Sequence, residues 1–105
     1  METNKKEIVW SIKALKDLKK IYEFNILIFG EEKSFEFIIH LMNEVNLLED
    51  GFVAIGLRYK SKKHPVINYR KLVSYHYIII YHTKDNEIRI DKVFDSRQNP
   101  NKLKL

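Results

Sequence analysis

The residues in this sequence best suited to chemistry are its arginines. All four, Arg58, Arg70, Arg89 and Arg97, lie beyond the midpoint. A guanidinium is charged at every physiological pH and offers forked donors to a phosphate or a carboxylate. Lys60, Lys62, Lys63 and Lys92 add positive charge around them. Residues 1–53 hold 7 Lys and 10 acids, a balance of −3, whereas residues 54–105 hold 8 Lys, 4 Arg and 4 acids, a balance of +8. The second half is therefore expected to meet a polyanion, either nucleic acid or an acidic protein, and the alternative is a basic face that only meets water. Arg58, Arg70, Lys92 and Arg97 are the candidate target-binding residues, expected to gather into one outward-facing cluster. A structural role stands beside the functional one: Arg70 can pair with Asp91 or Asp95 across a sheet, and Arg97 can pin the tail.

The histidines support chemistry less well. His40, His64, His76 and His82 match no tight ligand spacing, and there is no cysteine to complete a thiolate site. His76 and His82 are six residues apart on one strand face, roughly 20 Å, too far to share an ion. Neither a metal nor a cofactor is expected. Tyr75, Tyr77 and Tyr81 resemble an aromatic ladder on which bases stack. Their companion on that face is Ile79, and tyrosine suits a half-buried strand, so the core is the better place for them.

Periodicity then supplies the elements that must position these groups. Glu7–Ser11 reads as a short strand, with Ser11 placed to cap a helix. Leu15, Leu18, Ile21, Tyr22 and Ile26 recur at spacings of three and four, which predicts an amphipathic helix ending at Phe29-Gly30. Glu31-Glu32 favours a second helix start, with Phe35, Ile38, Ile39, Met42 and Val45 as its apolar stripe. The short link predicts an antiparallel helical hairpin. After Asp50-Gly51 the pattern turns to strands. Lys60–His64 reads as an exposed basic loop, followed by strands over Val66–Ser74, Tyr75–His82 and Glu87–Phe94. Ile90 and Val93 break strict alternation, which places a bulge near Asp91-Lys92. The expected architecture is α+β, in the order β-α-α-β-β-β, with a small, mainly antiparallel sheet packed against the hairpin.

A chain of 105 residues with 45% hydrophobic residues, 3 Gly and 2 Pro is expected to fold as one domain spanning residues 1–105. The absence of cysteine excludes a disulfide framework and suits the reducing cytoplasm. No run approaches the ~20 apolar residues of a membrane span, and the first residues lack a signal peptide's apolar stretch.

The ordered set of segments Ile8-Val9-Trp10-Ser11-Ile12-Lys13-Ala14-Leu15-Lys16-Asp17-Leu18, Tyr69-Arg70-Lys71-Leu72, Tyr77-Ile78-Ile79-Ile80-Tyr81 and Ile88 to Pro100 resembles the RelE/ParE superfamily of bacterial toxins. The resemblance implies a cytoplasmic growth inhibitor of a type II toxin–antitoxin pair, held in check by an acidic antitoxin in a hetero-oligomer. RelE-like members cleave mRNA on the ribosome, whereas ParE-like members are not nucleases and inhibit DNA gyrase. The nuclease branch often has an arginine after the first tyrosine of the strand that here holds Ile78. It also often ends in a catalytic Tyr or His, and Gln98–Leu105 contains neither. The ParE-like reading, with gyrase as target, is preferred. The alternatives are a ribosome-dependent endoribonuclease using Arg70, Arg97, Lys60, Lys62 and Lys63, and a non-toxic nucleic-acid-binding module.

Overall fold

In a computed structural model of the protein, residues 6–50, 57–59 and 61–97 are described. The chain forms β1 (Glu7–Trp10), α1 (Ile12–Asn46), a single 3-10 turn (Leu47–Asp50), β2 (Leu57–Tyr59), β3 (Tyr69–Ser74), β4 (Tyr77–Lys84) and β5 (Glu87–Asp95). The five strands make one mixed sheet in the order β1-β5-β4-β3-β2. Four of them form an antiparallel meander, and β1 joins parallel to β5, pairing Ile8 with Ile88 and Trp10 with Ile90. Strand β2 is an addition to the expected order. Leu57–Tyr59 was assigned to no element in the sequence, since three residues are too few to show alternation.

The helical region is the expected hairpin. As one straight helix, the 35 residues of α1 would be about 52 Å long, which exceeds the 44 Å length of the molecule. Gly30 breaks it, with φ 82° and ψ 171°, a backbone conformation open essentially only to glycine. Ala14 and Leu18 before the break, and Leu41 and Val45 after it, enter the same core as Tyr77, Ile79, Tyr81, Ile88, Ile90 and Val93. The buried line is rotated from the expected stripe. Ala14, Leu18, Asn25, Ser34, Leu41 and Val45 point inward, while Leu15, Phe35 and Ile39 are exposed.

Where β1 ends, α1 takes over the edge of β5. Ser11 N–H donates to the Ile90 carbonyl at 3.0 Å, and its hydroxyl donates to the Asp91 carbonyl at 3.2 Å while accepting from Ala14 N–H at 3.0 Å. One turn further on, the Asp17 carboxylate accepts the Val93 N–H at 3.0 Å. The bulge is where broken alternation placed it. Ile80 pairs with Lys92 and Tyr81 with Ile90, so Asp91 is the extra residue. Strand β4 starts at Tyr77, not Tyr75. Tyr75 sits in the β3–β4 turn at φ 54° with its ring exposed, whereas Tyr77 and Tyr81 are in the core.

Candidate functional site

The meander fixes where each candidate cation emerges. Arg70 lies opposite Tyr81 and Asp95 opposite Tyr77, four residues or about 13 Å apart along β4. Arg97 follows two residues beyond Asp95. The expected single cluster of arginines is therefore divided between the two ends of the sheet. Of the two aspartates considered for Arg70, Asp91 is bonded to His82 and Asp95 to Arg97. Arg58 is the backbone partner of Arg70 across β2 and β3. Its side chain, Lys60, and the tail from Gln98 lie outside the described residues. Lys92 departs from the expected outward placement. Its side chain is only 11% exposed and its Nζ lies 4.0 Å from Asp17 Oδ2, because the bulge brings it beside α1.

At the Arg97 end, the guanidinium grips Asp95 in a two-pronged pair, with Nε to Oδ1 at 3.0 Å and Nη2 to Oδ2 at 2.8 Å. The Arg97 bond holds the Asp95 carboxyl below the usual carboxylate range. Beside this pair run two adjoining hollows of about 380 and 390 Å³, which share Ile28, Tyr77 and Arg97. Asn25, Ser34 and Phe37 wall one of them, and Lys20, Ile21 and Phe24 the other. The Ser34 hydroxyl is buried without a hydrogen-bond partner. Around the hollows the hairpin presents apolar side chains to solvent, among them Phe24 at 56%, Leu27 at 85% and Phe29 at 60% exposed. A cluster of this kind marks an interaction surface.

The opposite end is polar and aromatic. His82 Nδ1 lies 2.7 Å from Asp91 Oδ2. Burial pushes the Asp91 carboxyl above its usual range, against the pull of that bond. The His82 ring packs edge-on against Tyr69 at 5.5 Å, and Tyr69 in turn meets Tyr59 at 6.4 Å and His64 at 6.5 Å. Burial, followed by the charge of Asp91, raises the Tyr69 hydroxyl above its usual value. Positive groups surround this cluster. Burial chiefly, then the charges of Lys92 and Lys63, hold the Lys13 ammonium below its ordinary pKa despite Asp17 and Asp91. Lys62 and Arg70 border a cavity of about 620 Å³. Among the described residues no group of three or more His, Asp or Glu side chains can hold a metal ion, and no helix is long and apolar enough to cross a membrane.

Residues 8–100 match the family model of the ParE toxin of the type II toxin–antitoxin system parDE. The chain belongs to the ParE toxin family. A solved structure from the chromosomal ParDE toxin–antitoxin system of P. aeruginosa has the same fold, with a TM-score of 0.68 and 22% identity over 88% of this chain and 97% of that one. No curated protein sequence gives a significant match. Some parts of this ParE toxin were missed in the sequence. Asp17, Asn25, Ser34 and Lys13 were not singled out there, and His82 was weighed only as a metal ligand. Asn25 and Ser34 were in principle detectable, since Ala14-Leu18-Ile21-Asn25 and Ser34-Phe37-Leu41-Val45 each keep helical spacing. The fastening of His82 to Asp91 depends on the bulge and left no local signal.

Proposed function

We propose that this ParE toxin arrests bacterial growth by poisoning DNA gyrase, and that an acidic antitoxin neutralises it in the cytoplasm by covering the hairpin groove. The observation that carries this reading is the match to ParE toxins over residues 8–100. The surface supports it: the exposed features are an apolar hairpin face and two separate basic ends, suited to protein partners. An amphipathic antitoxin segment would set apolar side chains among Phe24, Leu27, Ile28 and Phe29, and a carboxylate near Arg97 and Lys33. Ile78 supplies no cation beside Tyr77 for a phosphodiester in flight, which favours gyrase over message cleavage.

Induction of the chain in a bacterium tests the proposal. Growth arrest with chromosomal breaks and intact messages is expected. Cleaved messages with unbroken chromosomes would transfer the chain to the ribosome-dependent nucleases, and unimpaired growth would leave a binding module. Arg70→Ala and Arg97→Ala are each expected to weaken arrest. If both variants fold and arrest growth like the parent, those two residues are not part of the target surface.

A further inference from the structure

The buried line of the hairpin contains two polar side chains where helical spacing calls for apolar ones. Asn25 and Ser34 stand on either side of the Gly30 break and are 6% and 1% exposed. The Ser34 hydroxyl meets no hydrogen-bond partner there, which disfavours the folded state unless something else supplies one. Both residues line the same hollow of about 380 Å³, and its apolar wall includes Phe29, Phe37 and Tyr77. The Phe37 and Tyr77 rings lie 5.3 Å apart, so much of that wall is aromatic. Lys33 and Arg97 bring positive charge to the hollow, and no residue lining it is acidic. Arg97 is already engaged, since Asp95 takes its Nε and Nη2. The charge left over is that of Lys33, which has no ion pair among the described residues. The volume is within the range of small-molecule sites, roughly 300–1,000 Å³. Aromatic walls, a buried hydroxyl in need of a partner and one cation suit a small molecule with a flat apolar body and a single negative group.

We propose that this hollow binds a small aromatic carboxylate, its ring against Phe29, Phe37 and Tyr77 and its carboxylate accepting from the Ser34 hydroxyl and the Lys33 ammonium. A neutral aromatic molecule would leave Lys33 without its counter-charge. A bare anion would leave the aromatic wall wet, and an amine would meet Lys33 and Arg97 as like charges. The hollow is also part of the groove proposed for the antitoxin, so a ligand seated here and an antitoxin segment exclude one another. That consequence, a toxin whose release responds to a small molecule, rests on the antitoxin reading; the binding itself does not.

The test is a titration of the purified full chain with 3-phenylpropanoate, followed by calorimetry and by the NMR shifts of its backbone amides. Saturable one-to-one binding is expected, with the largest shifts around Asn25, Ser34, Phe37 and Tyr77. The matching amide, 3-phenylpropanamide, keeps the body without the charge and is expected to bind about tenfold more weakly. Acetate keeps the charge without the body and is expected to lose about tenfold or more. Lys33→Ala, at an exposed position, is expected to cost about threefold in affinity. Ser34→Ala is expected to cost about fivefold, and because the hydroxyl has no partner in the free protein, the variant alone should melt at or above the parental temperature. A serine kept for stability alone would give the reverse, a lower melting temperature and full affinity. Lys62→Ala, at the other end of the sheet, is expected to retain parental affinity. No saturable binding, equal affinity for the amide, shifts centred on Arg70, or full affinity in Ser34→Ala would each overturn the proposal. Growth arrest is scored apart: a chain that arrests growth without binding the ligand loses only this site, and one that binds without arresting growth loses only the toxin reading.

Discussion

Replacing Asp17 tests how the hairpin is fastened to the sheet. Beyond Trp10 the edge of β5 has no strand beside it among the described residues, and the Val93 N–H there is buried, satisfied by Asp17 Oδ2 at 3.0 Å. The same oxygen is 4.0 Å from the Lys92 ammonium, itself largely buried. A hydrogen bond to a charged group contributes about 1.5–3 kcal/mol, and an abandoned buried donor costs a similar amount. Asp17→Ala removes the acceptor and the counter-charge together, so a loss of about 3 kcal/mol is expected. Asp17→Asn keeps a carbonyl for Val93 and loses only the charge, so about 1 kcal/mol is expected. At about 4–8 °C per kcal/mol for a domain of this size, the alanine variant should melt about 12–24 °C lower. Urea unfolding followed by Trp10 fluorescence and by circular dichroism measures both variants. An alanine variant within about 0.5 kcal/mol of the parent, the range of unremarkable surface changes, would refute the fastening. Equal damage from Asn and Ala would refute the division between hydrogen bond and charge.

Gly30→Ala meets no neighbour within 4 Å, so any loss comes from backbone strain at φ 82°. About 1–3 kcal/mol is expected from denaturant unfolding, and a neutral result would mean that the hairpin bends elsewhere. Ser11→Ala removes the helix cap and the bond to the Asp91 carbonyl, with an expected cost of about 1–2 kcal/mol. Asp95→Asn tests the Arg97 clamp through pH. Because the folded carboxyl is held below its unfolded value, its contribution is complete above about pH 4 and is lost as pH falls through the lower folded value. The gap in urea midpoint between parent and Asp95→Asn should therefore be constant from neutral pH to about pH 5 and shrink below about pH 4. A gap that persists unchanged into strong acid would assign the effect to something other than this ionisation.

Elements governed by local rules were legible in the sequence. Ser11 read as a cap, Gly30 as a break, and the Ile90–Val93 spacing as a bulge, because each depends on a few neighbouring residues. The faces of the hairpin were not, for a reason that bears on function. Both sides of each helix carry large apolar residues, and the buried line contains Ala14, Asn25 and Ser34, which weigh little in a hydrophobic pattern. Leu15, Phe35 and Ile39 looked like core and proved to be surface. The candidate site divided for a tertiary reason. Residues 70 and 97 look alike as late arginines, but strand register sets Arg70 opposite the middle of β4 and Arg97 beyond the Asp95 that faces its start. No local pattern encodes that register, and none announced that Asp91 would be drawn to His82.

The parallel pairing of β1 with β5 also sets a schedule for folding. Residue 8 must find residue 88, and closing a loop of about 80 residues costs close to 4 kcal/mol in chain entropy. Four paired residues hardly offset that, so β1, synthesised long before its partner, docks only once Ile8 and Trp10 can reach a core that the meander has already assembled. A chain still emerging from the ribosome lacks that partner. The anchored hairpin therefore exists only after translation has passed β5, and a prematurely released fragment carries the hairpin without the sheet edge that anchors it.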